Sequence, residues 1–181
     1  MTQPIELVPL RCLRCETPVP AQEEEVAWVC EQCDQGLLLD EEQGLTALDV
    51  KYTAGVSPGT KGKPYWVVNG QVSLEREAYG TWGKKNREAE RFWGEPKRFF
   101  VPAFNIPLDT LLKFGTNLLL HPPDLIEDTK VPFESVIMAP EDLPSYVEFI
   151  VLAIEAGRKD QVKTIRISLK LEKPVLWVLP D

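Results

Sequence analysis

The chain has 181 residues, 44% of them apolar, and a formal net charge of −8, which fits one ordinary packed domain plus a small satellite and argues against disorder throughout. Its longest apolar stretches, such as Asn117 to His121 and Phe149 to Ile154, fall far short of the ~20 residues that cross a bilayer. Met1 to Leu10 lacks the basic and apolar regions of a secretion signal, so the expectation is a soluble cytoplasmic protein without a membrane span.

The charge is unevenly placed. Residues 1 to 50 carry eleven acids against two bases, Arg11 and Arg14, whereas the rest of the chain is close to neutral. All four cysteines fall in this acidic part, as the C-x-x-C pairs Cys12/Cys15 and Cys30/Cys33. A reducing cytosol keeps such thiols free, and adjacent C-x-x-C loops make poor structural disulfides, so metal binding is the simpler reading. Four thiolates at ~2.3 Å satisfy tetrahedral Zn²⁺, and each C-x-x-C turn sets two sulfurs on one side of the ion. The fourteen intervening residues, Glu16 to Val29, are enough for an out-and-back hairpin that returns the second pair to the first. Short extended runs at Val26 to Val29 and Leu37 to Leu39 suit its strands. Four cysteine ligands leave no open coordination position, so one structural Zn²⁺ is expected. A rubredoxin-like iron site or a redox C-x-x-C is the alternative, although the βαβ context of a thioredoxin-type motif is missing.

From about Pro9 to Asp40 the residues resemble the zinc-ribbon family, whose members occur among transcription factors, polymerase subunits, ribosomal proteins and bacterial adaptors. Ribbon knuckles commonly run C-P-x-C-G. Here Glu16 and Asp34 stand where the glycine is expected, and they must adopt a conformation that glycine takes easily.

Residues 1–48 are therefore read as the ribbon, 49–64 as a linker or hinge, and 65–181 as an α+β body. Gly55 to Pro64 is rich in Gly, Pro and Lys and reads as loop. It does not fit a phosphate loop, because Ser57 stands where the first glycine belongs and Pro64 where a Ser or Thr should follow Gly62-Lys63. Tyr65 to Val68 and Gln71 to Leu74 flank Asn69-Gly70, which predicts a type I′ hairpin. Arg98 to Phe104 and Val131 to Met138 read as strands, and Leu108 to Leu120 as a helix following Pro107, with Gly115 inside it. Leu143, Val147, Ile150, Val151 and Ile154 predict an amphipathic helix that begins at Asp142-Leu143-Pro144-Ser145 and ends at Gly157-Arg158-Lys159. Alternation from Ile165 to Leu171 predicts a strand with one wet face, and Val175 to Leu179 another. The fold class expected is α+β: a β-rich amino-terminal ribbon, then a mostly antiparallel sheet with two helices.

Two weaker signals remain. The segment Tyr79 to Phe100 mixes bases and aromatics, with Trp82, Lys84, Lys85, Arg87, Arg91, Lys97 and Arg98 as nucleic-acid contacts if bases stack and phosphates pair there. Gly80-Thr81-Trp82-Gly83 also echoes the G-x-x-G clamp of KH domains. Glu88, Glu90 and Glu95 and the acidic whole chain favour the plainer reading, an amphipathic segment whose aromatics pack on the sheet. His121, beside Asp124, Glu127 and Asp128, has general-base chemistry available, but a position at the end of the helix from Leu108 explains it as well. No catalytic constellation emerges. The function expected is a non-enzymatic zinc-binding adaptor whose acidic ribbon docks on another protein with a basic surface. The alternatives are a nucleic-acid-binding ribbon protein using 79–100, and an enzyme with a pocket in the body.

Overall fold

Aromatic and β-branched runs in three strands, Tyr65 to Val68, Phe99 to Val101 and Val175 to Leu179, are apolar without alternation, the pattern of strands buried on both faces. The computed structural model describes residues 10–78, 84–158 and 162–181, and these runs all fall in neighbouring strands of its larger sheet. The α+β architecture is the observed one, built from two sheets and, among the described residues, three α-helices.

The smaller sheet is an antiparallel meander of β1 (Ala27–Val29), β2 (Gly36–Asp40) and β3 (Gly44–Leu48). The larger contains β4 (Val50–Tyr52), β5 (Lys63–Ala78), β6 (Lys97–Pro102), β7 (Val162–Leu171) and β8 (Val175–Leu179). Its order is β4-β8-β5-β6, with β7 also on β5; only the β4–β8 pair is parallel. Helices α1 (Lys84–Trp93), α2 (Leu108–Leu120) and α3 (Leu143–Gly157) complete it. The helices bury Ala89, Trp93, Leu111, Leu119, Val147 and Ile150 in the same core as Trp66, Val68, Phe99, Val101 and Leu176. On the other side of the sheet a smaller core gathers Tyr65, Val67, Phe100, Phe104, Trp177 and Leu179.

The hairpin expected at Asn69-Gly70 is not formed; β5 runs straight through it for 16 residues. The dipeptide serves packing instead. A Cβ on Gly70 would lie 2.5 Å from Leu171 Cδ2, and the Asn69 amide donates to Glu172 Oε2 at 3.1 Å while accepting from Arg98 Nε at 3.3 Å. The returning strand explains the length of β5. Val67 faces Val175 and Gly70 faces Leu171, so β7 and β8 follow one another along a single edge of β5, with one extra residue between them. The irregularity falls at Glu172-Lys173-Pro174, where Pro174 has no N–H to give a ladder, and Glu172 N–H still donates to Asn69 O at 2.9 Å.

Val131 to Met138, expected as a strand, makes only isolated bridges, Phe133 with Gly62 and Val136 with Ala27. Its backbone bonds are divided among Gly62, Val26 and Ala103, so no single neighbour supplies a ladder, and Pro132 lacks a donor. Helix α1 is additional to the two helices expected. Of its described side chains Ala89 and Trp93 are fully buried; the helix falls in the segment read above as amphipathic, where charged residues outnumber apolar ones.

The two sheets touch through this divided segment. Val26 N–H donates to Val136 O at 2.8 Å, and Val26, Ala27, Leu38 and Leu48 pack with the larger core. Within residues 49–64, β4 pairs with β8 and Lys63 opens β5.

Gly115 shows how closely α2 lies on α3. A Cβ there would meet Ile150 Cδ1 at 2.5 Å and Cγ1 at 2.9 Å. Gly115→Ala should therefore destabilise by about 1–3 kcal/mol despite alanine's better helix propensity, as read from urea unfolding; a gain in stability would show that the helices separate freely.

Candidate metal centre

The amino-terminal sheet has little core of its own: Cys12, Trp28, Cys30 and Leu37 are its buried members. Two turns of the same construction carry the cysteines. In the first, Cys12 N–H donates to Thr17 O and Glu16 N–H to Cys12 O; in the second, Cys30 N–H donates to Gln35 O and Asp34 N–H to Cys30 O, each at 2.9 Å. Closing such a turn requires a left-handed residue after the second cysteine of each pair. Glu16 and Asp34 supply it at φ 60° and 58°, the positions where the sequence departs from the glycine of ribbon knuckles. Left-handed backbone costs a non-glycine residue roughly 1–2 kcal/mol, partly offset by the unfolded-state entropy of glycine. Glu16→Gly is accordingly expected to stabilise the unit by about 0.5–1 kcal/mol, seen as a higher midpoint of thermal unfolding; an unchanged or lower midpoint would count against strain at this site.

These turns bring the four Sγ atoms of Cys12, Cys15, Cys30 and Cys33 within 4.8 Å of one another. Cys12 lies 3.5 Å from Cys33 and Cys15 3.5 Å from Cys30, sulfur to sulfur. A tetrahedron of ~2.3 Å metal–thiolate bonds has sulfur–sulfur edges of about 3.8 Å, so the cluster has the size of a four-thiolate metal site. All four thiols are free of disulfides.

The electrostatics are those of a site that wants a cation. The backbone N–H groups of Cys15 and Arg14 hold the Cys12 thiol below its ordinary value. Cys15 is lowered to about 6, first by the Thr17 hydroxyl, 3.2 Å from its sulfur, and then by the Thr17 N–H. For Cys33 the Gln35 N–H acts to lower the pKa, but burial and the sulfurs of Cys12, Cys15 and Cys30 outweigh it and raise the thiol to about 12. Four thiolates cannot coexist at this distance unless a cation compensates them. Arg11 and Arg14 spend their guanidinium groups on backbone, donating to Glu16 O and Cys33 O at 3.1 and 3.3 Å.

The other sequence-derived candidates are dispersed. Trp82 lies outside the described residues, as do the side chains of Lys84 and Lys85. Arg87 and Arg91 are exposed on α1, whereas Lys97 covers the Phe92 ring at 4.4 Å and Arg98 bonds Asn69. The aromatics Trp93, Phe99 and Phe100 are core residues, 0–2% exposed, and offer no face for a base. His121 follows the last residue of α2, exposed, its N–H donating to Asn117 O at 2.8 Å. Glu127 pairs with Lys51. Lys63 is held by Glu134 at 2.6 Å.

Sequence reading missed Glu155, 1% exposed on α3. Its Oε1 accepts from Trp93 Nε1 at 2.8 Å and Arg158 Nε at 2.7 Å, and its Oε2 lies 3.0 Å from Arg76 Nε. An acid one turn after Val151, on the stripe that buries Val147 and Ile150, was the available signal. Among the described residues no helix is long and apolar enough to cross a membrane. Comparison with protein families, curated proteins and solved structures gives no match to this chain.

Proposed function

We propose that this chain is a non-catalytic zinc-binding protein in which a metal-stapled acidic ribbon docks on a basic surface of another protein. The four-sulfur cluster supports the metal, and its donor set supports zinc: four cysteines close a tetrahedral shell and leave no position for a substrate or water. Zn²⁺ would be held by Cys12, Cys15, Cys30 and Cys33 and would supply cross-linking rather than chemistry.

The observation that carries the docking role is the acidic surface around the site. Glu16, Glu23, Glu24, Glu31, Glu41 and Glu42 are all exposed, and none of them joins an ion pair among the described residues. Leu13 adds an apolar contact at the tip of the first knuckle, 56% exposed between Cys12 and Arg14. A field of one sign steers partners of the opposite sign and repels phosphate backbones.

Co-purification from nuclease-treated lysate tests this reading. The wild type should retain a protein that the charge-reversed variant Glu23→Lys/Glu24→Lys/Glu41→Lys/Glu42→Lys loses while keeping its metal. Partners retained equally by both would remove the acidic docking surface. Recovery of RNA or DNA alone from lysate not treated with nuclease, lost when Arg87 and Arg91 are replaced, would establish the nucleic-acid alternative instead.

A further inference from the structure

On the side of the larger sheet away from α3, β4, β5, β6 and the β7–β8 junction surround a cavity of about 320 Å³. Val67, Val175 and Trp177 contribute apolar walls, and Lys51, Arg98 and Lys173 bring cations to it; among the described residues no carboxylate lines it. In a chain of net charge −8 that is a local inversion of sign. Three carboxylates stand nearby: Glu127 pairs with Lys51, Asp49 also acts on the Lys51 charge, and Glu172 accepts from the Asn69 amide.

Arg98 is set up to bind rather than merely to be solvated. Its Nε donates to Asn69 Oδ1 at 3.3 Å, which fixes the plane of the guanidinium. Among the described residues its terminal amino groups have no protein acceptor, and neither Arg98 nor Lys173 lies within ion-pair distance of an acid. An oriented guanidinium with free terminal groups presents two parallel donors to one oxyanion. Lys173, in the bulge beside Pro174, adds a third donor from a different segment. A planar carboxylate is satisfied by the fork alone, whereas a phosphate monoester has three terminal oxygens and two charges to place.

We infer that this cavity binds a small organic phosphate, the phosphoryl group on Arg98 and Lys173 with Lys51 at the rim, and the organic part against Trp177, Val67 and Val175. The volume lies at the small end of ligand pockets, about 300–1,000 Å³, which favours a metabolite-sized ligand over a polymer. The site is separate from the metal centre and independent of the docking role.

The test uses the full, metal-loaded chain labelled with ¹⁵N and follows the Trp177 indole N–H during titration with phenyl phosphate, inorganic phosphate and, as planar control, benzoate. Phenyl phosphate should saturate with a Kd of about 1 mM or below, and Arg98→Gln/Lys173→Gln, two exposed positions, should weaken it at least about tenfold. Inorganic phosphate binding as tightly would support the anion site and identify free phosphate as its source. Absence of saturation, equal binding by the double variant, or benzoate binding as well as phenyl phosphate would overturn the inference. So would a single-stranded oligonucleotide that shifts Trp177 where phenyl phosphate does not.

Discussion

Stripping the metal from the four cysteines is expected to unfold residues 10–48 while the five-stranded sheet keeps its fold. Around the site, among the described residues, only Trp28 and Leu37 are buried besides Cys12 and Cys30, far too little apolar surface to offset the entropy of ordering the unit. Structural Zn²⁺ in small peptides contributes roughly 10–16 kcal/mol at pH 7, so with zinc at the proposed site the metal is expected to decide whether this part is folded. The larger core rests mainly on residues from β5, β6, β8 and the helices; it loses the cover given by Val26, Ala27, Leu38 and Leu48. Hydrogen exchange with and without a chelator, or in Cys12→Ser/Cys30→Ser, should show protection vanishing at Leu37 and Leu39 and persisting at Trp66, Val68 and Val101. Protection retained at Leu37 would mean the meander stands on its packing against the body, and iron rather than zinc at one ion per chain would overturn the zinc assignment.

The pH dependence of that affinity follows from the same thiols. Cys15 is lowered to about 6 and Cys33 raised to about 12, so the metal-free cluster holds at least one proton at neutral pH. Metal therefore displaces at least one proton, and affinity should rise with pH by about tenfold per unit or more between pH 6 and 9. A zinc titration at several pH values reads this directly, and a flat profile would mean all four sulfurs are ionised before binding.

Glu155→Ala should be the most damaging single change in the body, at about 3–5 kcal/mol, because it deletes one partner of a buried ionic cluster. The Arg76 and Arg158 side chains, 6% and 19% exposed, converge on a carboxylate that is 0% exposed, and Trp93 loses its acceptor as well. Glu155→Gln keeps an oxygen for Trp93 and should fall between wild type and alanine. Urea unfolding of the three proteins measures the difference. A loss near 1 kcal/mol for alanine, the worth of a solvated pair, would show that water replaces the carboxylate.

The four-cysteine cluster is legible in the residues alone, because C-x-x-C spacing is local; so is the need for left-handed backbone at Glu16 and Asp34. Helices α2 and α3 follow from apolar residues at helical spacing, and β7 and β8 from an alternating and a continuous apolar run, patterns that each segment carries within itself. What escapes such reading depends on a distant neighbour. Asn69-Gly70 has the composition of a turn, yet Leu171 and Arg98, far along the chain, turn it into the middle of a strand. Val131 to Met138 has strand composition but finds three different hydrogen-bonding partners instead of one. The Glu155 cluster draws on β5, α1 and α3, and the cationic cavity on Lys51, Arg98 and Lys173. Such sites exist only once antiparallel pairing and helix docking have closed the large sequence separations between their members. Short-range spacing is thus enough to dictate the cysteine cluster and the amphipathic elements. Strand continuity, the buried ion cluster and the cavity come from the tertiary fold, because each is a property of segments meeting and of no segment alone.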